Sequence, residues 1–223
     1  MNPSSLDHIA LWVADRPTLA AFLCDHLGMH VIEETDTFTL VGVDAKLGKL
    51  TLFDAEGPRE QGALERVVLR VRDLDAAAES IPGARREGDA VVVEAPEGLH
   101  IAIVEHGGAV DFDLDHVVLR VSDPDESASV LGGLGFQRRD GKLAIADREL
   151  HLEPGGEPEG ERPLLNHLAM LVDSAERSRA EAQGRGIEIA DWKDAANTLA
   201  VFVWGPDRIK LEYVEHKPGF SLT

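Results

Sequence analysis

Four stretches of the sequence align without gaps: LDHIALWV (6–13), LERVVLRV (64–71), LDHVVLRV (114–121) and LNHLAMLV (165–172). Each has the β-branched and apolar residues of a buried strand and is followed closely by turn residues. Their first residues lie 58, 50 and 51 positions apart. The chain therefore contains four copies of one unit, numbered here copy 1 to copy 4.

Each copy continues with the pattern of one helix and three further strands. Asp or Ser follows the first strand and precedes an Ala- or Leu-rich stretch, as expected for a helix N-cap. Short segments of alternating polarity come next, such as TLAVFVW (198–204) and RIKLEYVE (208–215) in copy 4. This pattern predicts a β-α-β-β-β module in every copy and an α+β fold.

Pairs of modules are expected to form the domains. One helix covers only one face of a four-stranded sheet, so the other face needs a second module. We expect four tandem βαβββ modules that pair into two half-barrel domains. The predicted domains are residues 1–108 and 109–223, joined near HGGAVDFD (106–113).

Composition and charge exclude several classes of function. Hydrophobic residues make up 43% of the chain, which is typical of a globular protein. The net charge of −19 repels nucleic acid and anionic membranes. No apolar run approaches the roughly 20 residues of a membrane span, and the N-terminus predicts no secretory signal. The single cysteine, Cys24, suits a reducing cytoplasm. We therefore expect a cytoplasmic monomer or homodimer with a small-molecule partner.

A cluster of metal-ligand residue types is predicted in the second half of the chain. Alternation along the strands turns His116, His167 and Glu212 away from the helices and into a cleft. Two imidazoles and one carboxylate with open positions suit Fe(II), and also accept Mn(II) or Zn(II). In the first half Arg66 and Ala102 take the places of His167 and Glu212. We therefore predict that only the second half binds metal.

Further residues are predicted in or near the same cleft. His8 keeps the first-strand position in copy 1, and we assign it to structure or substrate contact. Alternation also turns His151 into the cleft. Phe202 and Trp204 share the face opposite two valines of TLAVFVW, which predicts a pocket for a flat or apolar substrate.

A repeated βαβββ unit with His on strand one and Glu on strand four resembles the vicinal oxygen chelate superfamily. That superfamily includes glyoxalase I, bleomycin resistance proteins and type I extradiol dioxygenases. The resemblance implies one divalent ion per chain, with Fe(II) favoured and Mn(II), Zn(II) or Ni(II) possible. It also places His151 where glyoxalase I has an additional ligand.

The resemblance to classical extradiol enzymes is incomplete at the acid–base positions. Their histidine before strand four corresponds to Arg148, which could hold an anionic substrate or peroxide. Their tyrosine ten residues before the glutamate corresponds to Phe202. A further family histidine falls nearest to Lys193, which we assign to substrate binding.

Three functions are compatible with these residues. The four-module layout favours an extradiol, catechol-cleaving dioxygenase. Four metal ligands including His151 would instead suit a glyoxalase I-like lyase or isomerase acting on a carbonyl substrate. The third function is non-catalytic binding of a small molecule, as in bleomycin resistance proteins.

Overall fold

The computed structural model describes residues 1–139, 141–155 and 162–218 and confirms the four βαβββ copies. Copy 1 consists of β1 (Ser5–Val13), α1 (Arg16–His26), β2 (His30–Glu34), β3 (Phe38–Gly42) and β4 (Lys49–Asp54). Copy 2 consists of β5 (Leu64–Val71), α2 (Leu74–Ser80), β6 (Arg85–Glu87), β7 (Ala90–Ala95) and β8 (Leu99–Glu105). Copy 3 consists of β9 (Asp113–Val121), α3 (Pro124–Gly133), β10 (Gln137–Arg139), β11 (Lys142–Ile145) and β12 (Arg148–Pro154). Copy 4 consists of β13 (Leu165–Leu171), α4 (Ala175–Gly184), β14 (Ile189–Asp194), β15 (Thr198–Trp204) and β16 (Lys210–His216).

Each of the helices α1 to α4 begins after a polar residue whose side chain accepts a backbone N–H group of the first turn. The four capping residues are Asp15, Asp73, Asp123 and Ser174. These side chains satisfy N–H groups that have no partner within the helix, and they explain why each helix starts directly after its strand.

The strands form two eight-stranded sheets, each built from two copies. The outer-copy sheet joins copies 1 and 4 in the order β14-β15-β16-β13-β1-β4-β3-β2. The inner-copy sheet joins copies 2 and 3 in the order β10-β11-β12-β9-β5-β8-β7-β6. In each sheet the two first strands pair antiparallel at the centre, β1 with β13 and β5 with β9.

The expected pairing of copy 1 with copy 2 and of copy 3 with copy 4 is wrong. Strands on both sides of the predicted boundary at residues 108 and 109 share each sheet. The short link 106–112 is the physical reason. It needs only to cross the end of β5 to bring β9 antiparallel beside that strand.

The two sheets share one core on their helix-bearing faces. Buried residues from all four first strands belong to it, including Leu11, Leu69, Leu119 and Leu168. The opposite face of the outer-copy sheet carries a separate small apolar group, Ala169, Ala200, Phe202 and Val214. That face is left to line a cleft. No helix of the described ranges has the length and apolar character needed to cross a membrane.

Candidate metal centre

One row of residues crosses the cleft face of the outer-copy sheet. Glu212 of β16 lies opposite Ala169 of β13, which lies opposite His8 of β1. Neighbouring strands are about 4.8 Å apart, and the methyl group of Ala169 fills little of the space between its two neighbours. His8 and Glu212 can therefore converge above it.

Three potential ligand atoms meet at this point. His8 Nε2 lies 3.3 Å from both His167 Nε2 and Glu212 Oε2, and His167 Nε2 lies 2.8 Å from Glu212 Oε2. Two ligands at right angles around an ion, with bonds of about 2.1 Å, are about 3.0 Å apart. The three distances therefore fit one face of a divalent metal's coordination sphere. These residues are the one metal-competent His, Cys, Asp and Glu group within the described ranges.

Neighbouring polar groups fix the orientation of both rings. His8 Nδ1 lies 2.8 Å from Asp7 Oδ2, and His167 Nδ1 lies 3.0 Å from Asn166 Oδ1. Because a carboxylate and an amide oxygen only accept, each Nδ1 donates. The Nε2 atoms of the two rings then face each other and the Glu212 carboxylate. A positive charge beside these three atoms can be a proton on His8 Nε2 or a metal ion, and two imidazoles with one carboxylate are a donor set that suits a divalent metal.

The pKa shifts of Glu212 and His8 show that the centre favours positive charge beside the carboxylate. Burial raises the pKa of Glu212, but His167 and then His8 outweigh it and lower the pKa to about 2. Burial lowers the pKa of His8, but Asp7 and Glu212 outweigh it and raise the pKa to about 9. The pKa of His167 is lowered, chiefly by burial. The centre thus holds an ionised carboxylate and stabilises positive charge beside it.

A buried carboxylate supports the centre from behind His8. Asp7 Oδ2 also accepts from Lys49 Nζ at 2.8 Å, and His216 Nε2 lies 3.2 Å from Asp7 Oδ1. Burial raises the pKa of Asp7, but the bonds from His216 and His8 and the charge of Lys49 hold it well below its usual range. Asp7 is therefore an anion that fixes the ring of His8.

The centre opens into a cavity of about 620 Å³, within the usual range for small-molecule sites. Aromatic side chains form much of its wall. The ring of Phe202 lies 5.1 Å from that of His167, and the ring of Phe53 lies 6.2 Å from it. Phe38 and Trp12 each pack against Phe53. The cavity can therefore enclose a flat apolar ring next to the three ligands.

Two of the three residues predicted to contact substrate line the cavity, and the third does not. Phe202 and Lys193 line the cavity. Lys193 is largely exposed, and its ammonium lies 3.0 Å from Asp191. Trp204 is not among the residues that line the cavity, and the guanidinium of Arg208 lies over its ring, 4.1 Å from the ring centroid.

His116 and His151 do not join His167 and Glu212, in contrast to the sequence prediction. Both lie on the inner-copy sheet, where their rings stack with centroids 3.9 Å apart. His116 Nδ1 bonds Asp115, and His151 Nε2 bonds Glu149. Strand pairing is the reason, because β9 pairs with β5 of copy 2 rather than with β13 of copy 4, and β12 lies beside β9.

Arg148, predicted to be catalytic, is a buried structural residue of the inner-copy sheet. Its Nη2 donates to Asp113 at 2.6 Å, and its other Nη donates to Asp147. Arg70 donates to the same Asp113 oxygen at 2.7 Å. Two guanidinium groups thus neutralise one buried carboxylate, and none of the three lines the cavity beside Glu212.

The sequence alone does not identify His8 as a member of this group. The tripeptide Leu-Asp-His occurs both at 6–8 and at 114–116, so either histidine could complete the group. Only the pairing of β1 with β13 selects His8. Asp7 and Asn166, which orient the rings, precede the two histidines directly and could have been found as polar residues at strand starts.

Residues 5–100 match the family model described as the Glyoxalase/Bleomycin resistance protein/Dioxygenase superfamily. The match covers copy 1 and most of copy 2. No curated protein matches the sequence significantly.

Solved structures share the fold over nearly the whole chain at low sequence identity. A putative dioxygenase from Bacillus subtilis is 18% identical with a TM-score of 0.77, over 98% of this chain and 87% of that one. Glyoxalase I from Zea mays is 16% identical with a TM-score of 0.69, over 95% of this chain and 92% of that one. At these identities the comparison establishes the fold alone.

Proposed function

We propose that the chain is a metal-dependent enzyme that cleaves the ring of catechol-type substrates with dioxygen. His8, His167 and Glu212 would hold one divalent ion, with Fe(II) favoured. The observation that carries the proposal is a ligand set of two oriented imidazoles and one carboxylate at the end of an aromatic-walled cavity. Non-haem Fe(II) oxygenases use this donor set.

The residue of copy 1 that corresponds to Glu212 of copy 4 supports ring cleavage rather than lyase chemistry. That residue is Thr51, opposite Ala10 of β1. A hydroxyl is a weak ligand compared with His or Glu. His151, the residue that would have favoured a glyoxalase-like sphere, lies on the other sheet. Three protein ligands leave room for a chelating substrate.

The residues of the chain would position the substrate and exclude water. Bound Fe(II) would supply the Lewis acidity and the redox chemistry needed to react a catechol with dioxygen. Asp7 and Asn166 hold the two imidazoles in orientation. Phe53 and Phe202 flank His167 and would pack against the ring of the substrate, which removes water from its vicinity.

Oxygen uptake by the reconstituted protein tests this function. Protein stripped of metal would be loaded anaerobically with Fe(II), and oxygen consumption measured over a panel of catechols. We expect uptake by the parent and by His116→Ala, and none by His8→Ala. The two variants are matched, because each removes the strand-one histidine of an LDH tripeptide. A loaded protein that binds catechols and consumes no oxygen would contradict the proposal and favour lyase or isomerase chemistry.

A further inference from the structure

The cations that line the cavity differ in their partners. Lys49 is paired with Asp7 at 2.8 Å, and Lys193 is paired with Asp191 at 3.0 Å. Lys210 also lines the cavity, but it has no carboxylate within 4.0 Å among the residues that the structure describes. Lys210 therefore has no direct carboxylate partner in the described ranges, and Asp191, on which its charge also acts, is already paired with Lys193.

Lys210 is close to the metal centre. It precedes Glu212 by two residues on β16 and lines the same cavity, so the two Cα atoms are about 6.6 Å apart. Its charge contributes to the lowered pKa of His167 on the neighbouring strand. Its Nζ lies 5.5 Å from the centroid of the Trp204 ring, a contact that supplies no negative charge.

The charge of the whole protein makes this arrangement unusual. A net charge of −19 repels anions at long range. Two cavity carboxylates lie on outer strands of the sheet: Glu33 is on β2, at the opposite edge from β16, and Asp191 is on β14, where it is paired with Lys193 at 3.0 Å. Only a local cation can offset the general repulsion, and Lys210 supplies it at the end of the cavity near the three ligands.

We propose that Lys210 pairs with a carboxylate of the substrate, so that the substrate class is the carboxylated catechols. The aromatic ring and its hydroxyl groups in this assignment rest on the proposed function. The carboxylate rests on Lys210 alone. In the bound substrate the vicinal hydroxyls would face His8, His167 and Glu212, the ring would pack between Phe53 and Phe202, and the carboxylate would point toward Lys210.

Equilibrium binding without oxygen tests the pairing independently of turnover. Fe(II)-loaded protein under argon would be titrated with a catechol that carries an acetate group, and with its methyl ester. We expect the acid to bind about tenfold more tightly than the ester, as for a partly shielded ion pair. Lys210→Gln should abolish this preference, and Lys210→Arg should retain it. Lys142→Gln, on the inner-copy sheet, removes one cation elsewhere and should retain it too.

The outcomes separate the two proposals. A preference for the acid that disappears only in Lys210→Gln supports the pairing, even if no oxygen is consumed, in which case only the ring-cleaving function fails. Equal binding of acid and ester by the parent, or a preference that survives in Lys210→Gln, overturns the pairing whatever the oxygen uptake. Failure of both compounds to bind overturns both proposals.

Discussion

The substitution Asp7→Asn should lower both the metal affinity of the centre and the free energy of unfolding of the protein. The Asp7 carboxylate orients His8 at 2.8 Å and neutralises Lys49 at 2.8 Å, and Lys49 is only 2% exposed. Loss of a carboxylate behind a ligating histidine typically weakens metal affinity about 10–100-fold. Loss of the partner of a buried ammonium costs about 3 kcal/mol of unfolding free energy. We expect both effects in this variant.

A matched variant and a double variant isolate the two effects. Asp115 holds His116 at 2.7 Å and His106 at 2.8 Å on the inner-copy sheet, in the same local arrangement. Asp115→Asn should therefore leave metal affinity unchanged. Adding Lys49→Met to Asp7→Asn should restore much of the stability, because the unpaired charge is gone, but should not restore the affinity.

Two measurements decide this prediction. Competition with a chromophoric chelator gives the metal affinity, and urea unfolding of the metal-free protein gives the free energy of unfolding. An Asp7→Asn protein that binds metal as tightly as the parent would refute the role of Asp7. Equal weakening of affinity by Asp115→Asn would show that the metal is not confined to the outer-copy sheet.

Three further predictions concern residues around the core and the cavity. Tyr213 donates its hydroxyl to the Leu134 carbonyl at 2.6 Å, so Tyr213→Phe should lower the free energy of unfolding in urea by about 1–3 kcal/mol. An unchanged free energy of unfolding in Tyr213→Phe would contradict this prediction. Arg148→Met should lower stability by about 2–3 kcal/mol, because Asp113 loses one of its two guanidinium partners, and metal content by elemental analysis should stay at the parent level; loss of metal would restore its role at the centre. Phe202→Tyr adds a hydroxyl beside the ring of His167 and should raise Fe(II)-dependent oxygen uptake with catechols by up to about 100-fold; a slower variant would show that the hydroxyl cannot reach the substrate.

Local features of the fold could be predicted from the sequence because they depend on residues that are close together in the chain. The repeated first strands, the capping residues Asp15 and Ser174, and the inward face of each strand follow from spacing alone. His167 and Glu212 lie on the cleft face, as alternation predicted.

The pairing of the copies could not be predicted in the same way. Residues 6–8 and 114–116 are identical, so no side chain marks which first strand pairs with β13. Backbone hydrogen bonds and the reach of short links decide the pairing. Pairing copy 3 with copy 4 would place His116, His151 and Arg148 in the same cleft as Glu212. In the structure all three lie on the inner-copy sheet.

Metal analysis of the parent and of two histidine variants tests the central claim most directly. The claim is that the ligands are His8, His167 and Glu212, brought together by β1, β13 and β16. We expect about one divalent ion per chain in the parent and in His116→Ala after anaerobic loading and desalting, and little metal in His8→Ala. Retention of metal by His8→Ala together with its loss from His116→Ala would contradict the account.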